Sequence, residues 1–199
     1  MTHTLPDGRR LILASSSPFR RQLLARLGLP FVSRAPHSDE TPLADEPAQA
    51  LVARLARAKA EALAPAVAKG LIIGSDQVAV LDGEILGKPR DHDRAVTQLH
   101  RASGREVAFL TGLCLLDTAS GRTRVVVEPF KVLFRELSPA QIESYLGRER
   151  PYDCAGSFKC EGLGIALFRR LEGNDPNALI GLPLIRLVEL LAEEGVEVL

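Results

Sequence analysis

RLILASSSPFRRQLLARLG, residues 10–28, begins as an apolar strand, passes through three serines and a proline, and ends as a helix. Arg10–Ala14 reads as a buried strand. Pro18 suits a first helical turn, because its ring presets the backbone and its missing N–H would be unpaired there anyway. Phe19, Leu23, Leu24 and Leu27 recur at helical spacing, and Gly28 closes the segment. A helix N-terminus offers unpaired N–H groups and the positive end of a dipole, and serine hydroxyls add donors, so this junction suits an anion. Arg20 and Arg21 fall in the first turn, where a cation is disfavoured unless an anion is bound, which favours phosphate there. The same residues also describe a serine-rich N-cap with solvated arginines.

Outward from this unit, Phe31–Arg34 reads as a short strand, PHSDETP as a polar loop, and Pro47 to about Ala64 as an Ala-rich helix. LIIGS, residues 71–75, is a second buried strand, and VAVLDGEILG is a hairpin turning at Asp82-Gly83, a dipeptide suited to positive backbone angles. A helix over Asp91–Ala102 follows, then an antiparallel pair, Glu106–Leu116 and Arg122–Phe134, turning at TASG. Another helix starts at the Ser138-Pro139 cap, and Leu182–Glu194 forms a closing amphipathic one. Helices mixed with buried strands and hairpins predict an α/β fold with a mixed sheet. With no repeat, linker or sharp boundary, residues 1–199 read as a single domain.

A chain of 199 residues with 46% hydrophobic content can bury a core. Its 25 basic and 25 acidic residues leave zero formal charge, so no global field favours duplex nucleic acid or an anionic membrane, and any anion must meet a local cluster. Three cysteines without a C-x-x-C suit a reducing compartment better than a disulfide framework, and Cys154 and Cys160 lack nearby histidines for a metal site. With no apolar signal region in MTHTLPDGRR and no membrane-length apolar run, the expected location is the cytoplasm.

Further candidates lie downstream. On a helical wheel Leu51, Leu55, Ala58 and Ala62 form an apolar stripe into which Lys59 falls, so its charge must either snorkel to solvent or meet a phosphate or carboxylate in a cleft. Asp76 follows the buried LIIGS strand, and ligands of open α/β sheets gather beyond strand ends. The hairpin can return Lys88 to the same end, although taken alone an ordinary surface lysine is the better reading. Asp39 and Glu40 lie in the polar loop, where one of them together with Asp76 can hold a hard divalent ion. If CAGSFKCEGLGI is extended, Ser157, Lys159 and Glu161 share one face while Phe158 and Cys160 take the other.

LASSSPFRR, the DET loop, LARAKA, GSDQV, GEILGKP, CAGSFKCEG and GLPL, in this order over nearly the whole chain, resemble the Maf family of nucleoside triphosphate pyrophosphatases. The resemblance implies an elongated, twisted mixed sheet with flanking helices and two lobes around a cleft, as in Maf and ITPase-like proteins, usually as a homodimer. It implies metal-dependent hydrolysis, with Mg2+ or Mn2+, of a nucleoside triphosphate to the monophosphate and pyrophosphate. Asp76 would then be the general base or metal-linked carboxylate, Glu40 would assist the metal, and Ser15, Arg20, Lys59 and Lys88 would hold the triphosphate. Such chemistry needs cations around spreading negative charge and a carboxylate to orient water. A phosphoaspartate route lacks its usual D-x-D, since Val78 stands where the second aspartate would.

Phe19 stands where the common family form has arginine, GSDQV replaces the more usual ADT, and AGSFKCEG replaces the AGAY form. These departures resemble the branch acting on 7-methyl-GTP, whose cationic base would stack on Phe19, while Glu161 accepts from its N1–H and amine and Gln77 completes the reading of its edge. Phe19 at helical spacing from Leu23 also fits a core role. Other readings are a broader house-cleaning pyrophosphatase for dTTP, UTP or deaminated purine triphosphates, and a nucleotide-binding regulator of septum formation.

Overall fold

The computed structural model describes residues 4–199. One seven-stranded sheet runs through them in the order β2 (Phe31–Arg34), β1 (Arg10–Ala14), β3 (Gly70–Leu81), β5 (Glu106–Asp117), β6 (Thr123–Phe134) and β7 (Phe168–Gly173), with β4 (Glu84–Leu86) also paired to β3. β1 is parallel to β2 and β3, and the remaining pairs are antiparallel, so the sheet is mixed as expected.

Around it lie α1 (Pro18–Ala25), α2 (Ala48–Leu63), α3 (His92–Ala102), α4 (Pro139–Glu149), α5 (Pro176–Ile180) and α6 (Leu184–Glu193). Ser17 caps α1 by accepting from the Arg20 N–H, Asp91 caps α3, and Ser138 with Gln141 forms a reciprocal capping box on α4. Asp82 and Gly83 both take positive φ, 52° and 82°, in the β3–β4 turn.

β3 differs from the expected short strand followed by a separate hairpin arm. It runs unbroken from Gly70 to Leu81, because β5 pairs with it continuously from Leu71 to Val80. Asp76 therefore sits within a strand, not beyond its end. The strand that ends beside it is β1, whose pairing with β3 stops at Ala14 and Gly74, while β4 takes up the same edge only from Ala79. Ser75 to Val78 are left without a partner strand on that edge, and the sheet has a notch there.

Alternation along β3 sends side chains to opposite faces. Leu71 and Ile73 join Leu23, Leu187 and Leu191 on one face, whereas Ile72 packs with Ala56 and Ala60 beneath α2 on the other. Ser75 and Gln77 follow the first set and Asp76 the second. Toward the far end of the sheet, Phe109, Phe134, Phe158 and Phe168 pack edge to face, with ring centroids 4.7–5.7 Å apart, against α3 and α4.

The buried face of α2 consists of Leu51, Val52, Leu55, Ala56, Lys59 and Ala60. Ala58 is only half-buried and Ala62 is exposed, so the stripe is rotated from the expected one and Lys59 lies near its middle. The rotation follows from how α2 meets the sheet: a Cβ on Gly74 would land on the Ala56 carbonyl oxygen, and one on Gly112 on that of Val52. The helix rests on bare strand backbone at these two points. The closing segment also differs: α6 starts at Leu184, and α5 and β7 precede it, both absent from the sequence reading. No helix among the described residues is long and apolar enough to cross a membrane.

Gly74→Ala or Gly112→Ala should lower stability by about 2 kcal/mol, the scale of core overpacking, read as the urea midpoint at constant slope. Gly147→Ala, on the open surface of α4 with nothing near its Cβ, should raise stability by about 1 kcal/mol. Equal midpoints for Gly74→Ala and the parent would show that α2 does not press on the strand.

Candidate active site

The notch opens into a cleft of about 560 Å³ lined by Ser15, Arg20, Glu40, Lys59, Asp76 and Lys88, among others. All six cleft-binding candidates of the sequence reading thus meet in one cavity, although Arg20 and Asp76 come from different elements 56 positions apart in a numbering that spans 199 residues. Lys59 is 6% exposed and Asp76 8%. The Lys59 ammonium lies 2.6 Å from Asp76 Oδ1 and 2.8 Å from Glu40 Oε1, bridging the two acids. Lys59 thereby escapes the cost of burying an unpaired charge, and its partners are carboxylates.

Burial opposes ionisation of Glu40, but the Lys59 hydrogen bond and the charges of Lys59, Lys88 and Arg20 outweigh it and hold its carboxyl below the ordinary range. For Arg20 desolvation prevails instead, so the charged form is disfavoured. Desolvation pulls its guanidinium below the ordinary value against the opposing pull of Asp76 and Glu40, and the group remains a cation. Its Nε donates to the Gly181 carbonyl at 2.8 Å, and among the described residues its terminal nitrogens have no protein partner.

Ser15 is buried, and its hydroxyl accepts the Ser17 N–H at 3.1 Å while Ser17 caps α1. Each hydroxyl therefore uses an acceptor position locally and keeps its own proton to donate, as an anion site requires. Lys88 is exposed and has no carboxylate within 4.0 Å among the described residues.

The polar loop that carries Glu40 is fastened by a pair the sequence reading missed. Arg54, on α2, grips Glu46 with two bonds of 2.6 and 2.7 Å and donates to the Thr41 carbonyl, and Glu46 accepts the Leu43 N–H. Glu46 is held below its ordinary carboxyl value chiefly by the Arg54 hydrogen bonds. Glu46 falls just ahead of the helix and Arg54 two turns into it, and no local pattern in the sequence marks them as partners.

On the opposite face of β3 lies a second cavity of about 160 Å³, floored by Phe109 and Phe158 and edged by Phe19, Gln77 and Glu161. Phe19 is half-buried and lines both cavities; it is not a core residue. Gln77 is more constrained than expected. Its amide nitrogen donates to Ala178 O at 2.7 Å, Thr111 Oγ1 at 3.0 Å and Leu179 O at 3.2 Å, so only its oxygen remains to read a ligand. Ser75 Oγ donates to Gly181 O at 2.8 Å, and the carbonyls ending α5 thus anchor Arg20, Ser75 and Gln77 together.

The stretch 154–165 is not extended. A 3-10 turn at Ala155–Ser157, with Gly156 and Ser157 at φ of 73° and 62°, and another at Leu163–Leu167 coil it beneath the second cavity. Ser157 points inward and is fully buried, Lys159 turns to Glu149, and Phe158 joins the aromatic cluster. Only Glu161 of the expected polar row edges the pocket, where the Cys160 thiol donates to it across 3.4 Å. Burial pushes the Cys160 thiol up to about 12, with Glu161 adding to the shift. Arg90 and Asp153, also unread in the sequence, line the main cleft.

With Arg20, Lys59, Lys88 and Arg90 set against Glu40, Asp76 and Asp153, the cleft carries one more cation than carboxylate. A triphosphate carries several negative charges, so the side chains alone leave an anionic excess. Asp76 and Glu40 each keep one carboxylate oxygen without a protein partner among the described residues. Two hard oxygen donors lining a cleft roomy enough for a triphosphate fit a divalent cation that takes its other ligands from phosphate and water.

Residues 10–194 match the family model described as Maf-like protein. The chain is 60% identical to a 7-methyl-GTP pyrophosphatase of Nitrosococcus oceani over 194 residues, covering 98% of both chains. It is 62% identical to one of Alcanivorax borkumensis over 187 residues, 94% of this chain and 95% of the relative. A relative of the same description from Pseudomonas aeruginosa is 59% identical over 98% of this chain and 100% of its own length.

Lys59→Met should leave the Asp76 carboxylate buried without a cation, with a stability loss of about 3 kcal/mol. Adding Asp76→Asn should recover part of that loss in a double-mutant cycle. Additive losses would show that the two side chains are not coupled.

Proposed function

Because the chain belongs to the Maf family, we propose that it hydrolyses 7-methyl-GTP to 7-methyl-GMP and pyrophosphate. The observation that carries this reading is the junction of a cation-bearing cleft with an aromatic-floored pocket through shared Phe19 and Gln77. Near-full-length similarity to three 7-methyl-GTP pyrophosphatases supports it. The cleft draws residues from Ala14 to Asp153 and the second pocket from Ser17 to Ile180, which supports treating residues 1–199 as one working unit.

In this reading the triphosphate lies in the cleft, with Ser15, Arg20 and Lys88 on its oxygens. Asp76, as general base or as a carboxylate linked to the metal, orients a water in line with the α-phosphorus; the water loses its proton as it attacks, the α–β phosphoanhydride bond breaks and pyrophosphate leaves. A divalent cation, Mg2+ or Mn2+, held by the free oxygens of Glu40 and Asp76 would offset the charge spreading over the phosphate oxygens. Lys59 keeps both carboxylates in place and adds positive charge beside the reacting phosphate, a different share of the work from gripping the triphosphate alone.

The base enters the second pocket. 7-methylguanine is cationic, and stacking on Phe19 adds a cation–π contribution of about 0.5 to 2 kcal/mol. Glu161 accepts from N1–H and the exocyclic amine, and the Gln77 oxygen offers a further acceptor. This assignment makes the pocket a reader of donors, matching the donor-rich edge of the methylated base.

Asp76→Asn should retain the parent circular dichroism and lose about a thousandfold in pyrophosphate release, on the scale of losing a group that acts on the attacking water. Parent-like release would remove Asp76 from the chemistry. Phe19→Arg and Glu161→Gln should each lower kcat/KM for 7-methyl-GTP about tenfold more than for UTP. A parallel decline for both substrates would mean that these side chains do not read the base.

A further inference from the structure

We infer that Asp153 reads the ribose hydroxyls and makes the enzyme prefer ribonucleotides to 2′-deoxyribonucleotides. The inference rests on the proposed placement of base and triphosphate in the two cavities. If they lie so, the sugar must cross the seam, whose residues line both: Ser17, Phe19, Arg20, Gln77, Lys88 and Asp153.

Vicinal hydroxyls are best held by an acceptor with two oxygens. Five of the six seam residues do not offer one. Phe19 has no polar atom, Arg20 and Lys88 only donate, Ser17 spends its oxygen on the Arg20 N–H, and Gln77 spends its nitrogen on α5. Asp153 is the remaining carboxylate, exposed to the cavity, and among the described residues it has no hydrogen-bond or ion-pair partner.

Its backbone is nonetheless held. The Tyr152 carbonyl accepts the Arg90 N–H at 3.0 Å, the Cys154 N–H donates to Pro151 O at 3.1 Å, and the Tyr152 hydroxyl meets His92 Nδ1 at 3.1 Å. A free carboxylate on an anchored turn is preorganised for a ligand. Its negative charge would repel phosphate oxygens, but Lys88 lines the same seam, which favours Asp153 over the neutral sugar and Lys88 over the chain of phosphates.

The test is kcat/KM for 7-methyl-GTP, 2′-deoxy-7-methyl-GTP, GTP and dGTP with the parent, Asp153→Asn and Asp153→Ala, under one divalent-cation concentration. The parent should favour each ribonucleotide over its deoxy partner by about tenfold. Asp153→Ala should bring both ratios close to one, mainly by slowing the ribonucleotides, and Asp153→Asn should fall between. An unchanged ratio in Asp153→Ala, equal losses for ribo and deoxy substrates, or a parent without sugar preference would overturn the inference. Failure of the base assignment shows separately, as a parent that does not favour 7-methyl-GTP over GTP while its sugar ratios still respond to Asp153. A parent that turns over none of the four substrates overturns both.

Discussion

The contact of α2 with naked strand backbone at Gly74 and Gly112 is the constraint on which the site depends. Side chains at these points would hold the helix off the sheet by their own radius. Without them, Lys59 reaches the buried side of β3 close enough to make a 2.6 Å bond to Asp76. Gly112 lies directly opposite Asp76 in the β3–β5 ladder, so the residue that lets the helix approach and the carboxylate it serves are cross-strand neighbours. Packing and electrostatics are coupled here: a looser helix would leave Asp76 buried without its cation, a state costing about 3 to 5 kcal/mol.

A second constraint is the break along the edge of β3. Had β1 continued, its backbone would fill the space beside Ser75 to Val78; had β4 begun earlier, it would do the same from the other end. The interval left between them gives a small molecule access to both faces of one strand. Alternation then assigns work without further design: Asp76 turns to the charged side under α2, and Gln77 turns to the aromatic side, where α5 carbonyls fix its amide. The charged cleft and the aromatic pocket thus take residues that are adjacent in sequence and separated by the sheet itself.

Much of this was legible in the sequence because it depends on local signals. Pro18, the serines before it and Gly28 marked α1; Asp82-Gly83 marked the turn; the misplaced charge of Lys59 pointed to a partner. The errors arose where tertiary pairing overrides local pattern. β5 carries β3 past Ser75, which no feature of LIIGSDQV requires. The segment from Cys154 alternates in polarity like a strand, yet left-handed Gly156 and Ser157 coil it so that Phe158 can reach the aromatic cluster. The Arg54–Glu46 grip and the α5 carbonyls were invisible because each joins residues whose identities are ordinary and whose proximity only the fold creates.

The central claim is that water attacks the α-phosphorus of 7-methyl-GTP in the cleft beside Asp76. Mass spectrometry of the products formed in water enriched with heavy oxygen tests it most directly. The account predicts 7-methyl-GMP carrying one heavy oxygen from solvent, together with unlabelled pyrophosphate. Heavy oxygen in the pyrophosphate, or release of 7-methyl-GDP and inorganic phosphate, would place the attack on a different phosphorus and contradict it.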